Sequence, residues 1–161
     1  MRYQFLRFPE GRAKALTFSY DDGCREDLRT ADLFTKYGLK GTFNLNGDRF
    51  RTTLSKEEVE DHILSKGHEI AVHGEFHRAN GTQRPIEGIQ EVVNCRINLE
   101  NKYNRIIRGM AYPDTGVTRF RPGVKYEDIK QYLTSLDIAY SRTLGADNDK
   151  FLLPNDLIYS D

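Results

Sequence analysis

What most constrains the fold is an alternation in the sequence. Short apolar runs closed by turn-forming residues are separated by segments whose apolar residues recur at helical spacing. Residues 14–23 (KALTFSYDDG), 39–45, 67–72 and 104–112 read as strands, and a fifth strand opens at 138–140. Between them, residues 25–37 place Leu28, Ala31, Leu33, Phe34 and Tyr37 on one helical face, with Gly38 as the stop. Ser55 and Glu58 form a capping box that opens a helix carrying Val59, Ile63 and Leu64 and ending at Gly67. Pro85 introduces a third helix with Ile86, Ile89, Val92, Val93, Ile97 and Leu99 on its apolar face. Residues 128–136 form a fourth, with Ile129, Tyr132, Leu133 and Leu136 inward. Strand and helix repeated in this order predict parallel strands joined by crossover helices, hence an α/β sheet or barrel. The first strand is expected to bury Ala15, Leu16, Phe18 and Tyr20. Residues 2–9 read as an entry strand or arm, and 79–88 as a polar surface loop.

A chain of 161 residues suits one domain, and residues 1–161 are taken as a single unit. Its 24 basic and 24 acidic residues cancel, and no basic block favours nucleic acid or an anionic membrane surface. No apolar run approaches the length of a membrane span, and the N-terminus lacks the apolar region of a signal peptide. The expected location is therefore cytoplasmic for the chain as given, and secreted if a leader has been removed. Cys24 and Cys95 are the only cysteines and read as free thiols. Cys24 lies beside the acidic pair but has no histidine next to it in sequence to activate it as a nucleophile.

The chemistry concentrates at strand ends. Asp21 and Asp22 close the first strand, and Gly23 permits the turn that follows. Asp-Gly alone is an ordinary turn former. The third strand ends in His73-Gly-Glu-Phe-His77, whose spacing predicts two imidazoles one helical turn apart. Histidines four apart are by themselves ordinarily solvated. Set at the carboxyl ends of two strands in one parallel sheet, however, the acidic pair and the imidazoles converge. Two imidazoles and one carboxylate make the three-ligand set of a catalytic divalent metal, with a coordination position left open. His68 begins the strand that His73 ends, so it lies at the wrong end to share that metal.

These residues resemble the polysaccharide deacetylase family, metal-dependent carbohydrate esterases with a nodulation-type deacetylase homology domain. TFSYDDG at 17–23 resembles the family's first motif, GHEIAVHGEFH at 67–77 its second, and AYPD at 111–114 a degenerate third. The resemblance covers roughly residues 12–145. It implies an irregular (β/α)7-type barrel, α/β in class, and removal of acetyl groups by N-deacetylation of a carbohydrate or small amide substrate. By the same resemblance Asp21 is the general base. Asp22, His73 and His77 hold a divalent metal, Zn2+ first among those such a set accepts. The backbone N–H of Asp114 helps to stabilise the oxyanion.

The sequence also departs from the family. Ala111 stands where the third motif has an arginine that braces the catalytic aspartate, with Arg108 and Arg119 the nearest substitutes in sequence. No histidine follows His77 in the given sequence, so the family's C-terminal general acid is expected to lie beyond residue 161, the alternative being that it is lost. The barrel is accordingly expected to be incomplete at its C-terminus, with exposed sheet edges that favour self-association. The alternative to an enzyme is a catalytically impaired relative that binds metal and carbohydrate.

Overall fold

The computed structural model describes residues 9–12, 14–47 and 53–143. The arm expected at residues 2–9, apart from Pro9, lies outside these, as does everything after Thr143. Five strands follow in chain order: β1 (Ser19–Asp21), β2 (Thr42–Leu45), β3 (Glu69–Val72), β4 (Gly109–Ala111) and β5 (Tyr140–Arg142). They form one sheet in the order β1-β2-β3-β4-β5, and every neighbouring pair is parallel. The crossovers carry α1 (Arg25–Lys36), α2 (Lys56–Glu58), α3 (Pro85–Tyr103) and α4 (Tyr126–Ser135). α2 runs on into a π-helical stretch, Val59–Leu64. Its start is the expected capping box: Glu58 N–H donates to Ser55 Oγ at 3.2 Å, and Ser55 N–H to a Glu58 carboxylate oxygen at 2.9 Å.

The sheet is curled into a half-barrel. In a flat five-stranded sheet the outer strands would stand about 19 Å apart, four strand spacings. Yet Arg142 on β5 hydrogen-bonds Ser19 and Asp21 on β1. The convex face carries Phe43, Leu45, Ile70, Val72 and Met110, all buried. Against them pack Ala31, Val59, Ile63, Val92, Cys95, Leu99, Ile129 and Leu133. Each such large side chain contributes about 1.5–3 kcal/mol by leaving water. Truncating Phe43 to alanine would therefore cost about 3–5 kcal/mol. The concave face is polar, with Ser19, Asp21, Thr42, Asn44, Glu69 and Arg142 bonded to one another across strands. β4 and β5 complement each other there. Gly109 and Ala111 are small, and their register partners Tyr140 and Arg142 are long.

Several sequence expectations are corrected. Ala15 and Leu16 are exposed, Leu16 at 77%, because β1 forms only from Ser19 onward, at the edge of the sheet. Tyr20 is 38% exposed and rests against Phe34 and Phe43. Ile86 and Ile97 point to solvent; α3 instead buries Val92, Cys95, Leu99 and Tyr103, spaced by three or four residues. The stretch 79–88 is no surface loop. Ala79, Asn80, Gly81 and Gln83 are buried, and Asn80 donates to the Tyr132 hydroxyl at 2.9 Å. No helix among the described residues is long and apolar enough to cross a membrane.

Candidate metal centre

All the chemistry sits at the carboxyl ends of the strands. β1 ends on Asp21, and the chain turns at once through Asp22, whose φ of 78° lies in the left-handed region. The Asp22 N–H is held by Asn44 O on β2 at 3.0 Å. β3 ends on Val72, and His73 continues the ladder by donating its N–H to Leu45 O at 2.9 Å. The expected helical turn from His73 to His77 does not form. Gly74 and His77 take positive φ of 81° and 57°, so the segment is a tight loop that folds the second ring back against the first. The ring centroids are 4.9 Å apart at an interplanar angle of 71°.

That loop is clamped from several sides. Asn46 donates to His73 O at 2.7 Å, and Gly47 N–H to Gly74 O at 3.1 Å. Glu91, a buried carboxylate on α3, accepts from Phe76 N–H at 2.9 Å. A side chain at Gly74 would meet the Glu91 carboxylate at 3.1 Å and Pro113 at 3.3 Å, which ties this loop to the one after β4. Asn46 and Glu91 went unnoticed in the sequence because their work is done on backbone atoms, which leaves no residue-type signature.

The acid and the imidazoles do converge. Asp22 Oδ1 stands 3.6 Å from His73 Nε2 and 3.4 Å from His77 Nε2, and one ligand atom from each residue falls within 4.8 Å of the others. A tetrahedral zinc site with bonds of 2.0–2.1 Å has ligand–ligand edges of about 3.3 Å. Asp22 Oδ1 is also buried without a hydrogen-bond partner. A buried carboxylate oxygen left so is costly unless a cation meets it. His73 is 2% exposed, and its Nδ1 bonds Ala111 O at 2.9 Å, which fixes the proton there and turns Nε2, with its lone pair, toward Asp22. Burial pushes the His73 imidazole below its ordinary value, with the Asp21 carboxylate and Ala111 O opposing, a shift in the direction of the neutral ring that a ligand must be. The residues present therefore fit a divalent cation.

Asp21 stands apart from this set but next to it, its Oδ2 3.9 Å from His73 Nε2. Arg142 Nη2 lies 2.5 Å from both Asp21 oxygens, and Asn44 donates to Oδ1 at 2.8 Å. Neither Arg108, paired with Asp137, nor the exposed Arg119 makes this contact. The arginine that meets Asp21 comes instead from the next strand, β5. Asp114 follows buried Pro113 with φ 49°, and no backbone acceptor meets its N–H among the described residues. His68 lies elsewhere: its Nε2 bonds Ala31 O and Thr35 Oγ1, and its Nδ1 accepts from Gly41 N–H. The Cys24 thiol is pushed up, first by partial burial and then by Asp27, Asp22 and Glu26, which disfavours the thiolate a nucleophile needs.

Comparison with known proteins bears on the fold and the family. No curated protein matches the sequence. Among solved structures the chain is similar to the Streptococcus pyogenes deacetylase PplD in complex with acetate, at 17% identity and a TM-score of 0.65, covering 78% of this chain and 54% of that one. It is likewise similar to the chitin deacetylase of Colletotrichum lindemuthianum, at 15% identity and a TM-score of 0.62, covering 78% and 53%. A third is a CE4 family pseudoenzyme from Bacillus anthracis, at 16% identity and a TM-score of 0.57, covering 78% and 42%. The chain thus spans about half the length of these structures, and at such identities the likeness speaks to the fold alone. The family model described as polysaccharide deacetylase matches residues 8–134, a stretch that holds both the acidic pair and the two imidazoles. The chain belongs to the polysaccharide deacetylase family.

Proposed function

We propose that the chain is a metal-dependent hydrolase that removes acetyl groups from an N-acetylated carbohydrate, cleaving the amide C–N bond to give acetate and an amine. Asp22, His73 and His77 hold the cation, and zinc suits their donor set. When bound, such a cation supplies Lewis acidity toward the acyl oxygen. Asp21 takes the proton of the attacking water, and the Asp114 N–H donates to the oxyanion of the tetrahedral intermediate. The observation that carries the reading is the buried, unpartnered Asp22 Oδ1 facing two imidazoles, with a second carboxylate alongside. Acetate and chitin figure in the names of the similar deacetylases, which supports the substrate class.

One observation favours a second reading, a catalytically impaired binder of metal and carbohydrate. Among the described residues, no imidazole outside the metal set stands at these strand ends to protonate the departing amine. Loss of a general acid costs about 10²–10⁴-fold in rate. Purified protein should therefore carry zinc in about equimolar amount and release acetate from an acetylated chitooligosaccharide slowly, with both lost in His73→Ala. Metal content in His73→Ala equal to the parent's would refute the ligand set. Metal without acetate release would favour the binder.

A further inference from the structure

We propose that Arg142 is the positioning residue for Asp21, reaching from β5 across the open side of the sheet to fix the carboxylate that serves as base in the hydrolase reading above. Its Nη2 lies 2.5 Å from both Asp21 oxygens while its Nε donates to Ser19 Oγ at 3.0 Å. One planar group thus grips β1 at two successive inward positions. Asn44 completes the cradle from β2, donating at 2.8 Å to Asp21 Oδ1 and at 2.8 Å to Ser19 Oγ. These donors fix the plane of the carboxylate as well as its place.

The reach depends on what β4 lacks. Ala111 is the register partner of Arg142, and Gly109 that of Tyr140. A side chain at Gly109 would collide with the Tyr140 hydroxyl. With only a methyl group at Ala111 and a hydrogen at Gly109, the long β5 side chains pass over β4 into the concave face. Arg142 also lies beyond residue 134, where the family match stops, so the site extends past the stretch that the family model describes. Lysine cannot substitute fully, since a single ammonium lacks the planar fork that meets Ser19 and Asp21 together.

The test measures acetate release by the parent, Arg142→Ala and Arg142→Lys, with zinc content read in parallel. A misplaced base costs up to about 10²-fold, so Arg142→Ala should lose about 10- to 100-fold in kcat with KM within about twofold and zinc content unchanged. Arg142→Lys should fall between the two. Added guanidinium ion should raise Arg142→Ala and leave the parent as it was. Parent-like kcat in Arg142→Ala overturns the proposal, as does a loss that neither lysine nor guanidinium restores. If the parent releases no acetate, the hydrolase reading fails by itself. The contact is then tested by a double-mutant cycle in unfolding between Arg142→Ala and Asp21→Asn. A coupling of about tenfold in the unfolding constant is expected, and additive effects overturn the proposal.

Discussion

At the scale of single residues, the centre is built at positions where the backbone is unusual. Among the described residues, Asp22, His77 and Asp114 are three of the six non-glycine residues with positive φ, a region that costs side-chain-bearing residues about 1–3 kcal/mol. The residue types at Asp22 and His77 were legible in the sequence, but the conformations were not, because helical spacing and a tight loop bring positions i and i+4 together equally well. Asp27, close to the acidic pair, shows a second local conflict. It lies in the first turn of α1, where an anion is favoured, and accepts a hydrogen bond from Cys24 N–H at 3.0 Å. Burial outweighs both and raises its carboxyl from 3.8 to about 6, with Asp21, Glu26 and Asp22 adding to the rise. Between those values the folded state binds more protons than the unfolded state. The stability this group contributes is therefore full below 3.8 and lost as pH rises through about 6. The span corresponds to at most about 3 kcal/mol. Asp27→Asn should remove this slope. In urea titrations of the metal-free protein it should match the parent near pH 4 and exceed it at pH 7, whereas parallel profiles would contradict the assignment.

At the scale of elements, those that announce themselves chemically were legible. The Ser55–Glu58 capping box and Pro85 mark real helix starts, and α1 differs from its expected extent by one residue. Strand limits were less so. The expected strands took in residues 15–18 and 104–108, yet the ladders cover only Ser19–Asp21 and Gly109–Ala111, because pairing is set by what the neighbouring strand offers. The apolar face of α3 was misjudged at Ile86 and Ile97 because tertiary packing, not composition, decides which side of an amphipathic helix is covered. α1 begins with Cys24 at the N-cap, and this residue accepts no side-chain hydrogen bond from the first turn. A serine hydroxyl is the better acceptor for the free N–H groups there. Cys24→Ser should accordingly raise stability by about 0.5–1 kcal/mol in urea unfolding and leave zinc stoichiometry unchanged. A fall in bound zinc would instead assign the thiol a place in the centre.

At the scale of the whole molecule, the curled sheet of the described residues has two edges that face each other across its concave side, β1 and β5. Parallel order was legible from the alternation of elements, but the curl was not, since it depends on the crossing contacts. Arg142 with Ser19 and Asp21 is one of these, and Tyr140, which donates to Glu69 at 2.8 Å, is another. Exposed edges template pairing with another chain, and natural sheets limit this with short edge strands and inward charges. Both devices are present here: β1 and β5 are three residues each, and their charged residues, Asp21 and Arg142, are paired inward. Self-association through these edges should thus be weak in the parent and stronger once the pair is broken. Sedimentation velocity over a wide concentration range should show a small rise in the parent and a larger one in Arg142→Ala. Because Tyr140→Phe keeps the ion pair and loses only the Glu69 hydrogen bond, it should stay close to the parent. Equal, concentration-independent sedimentation of all three would mean that the edges are closed by something other than these side chains.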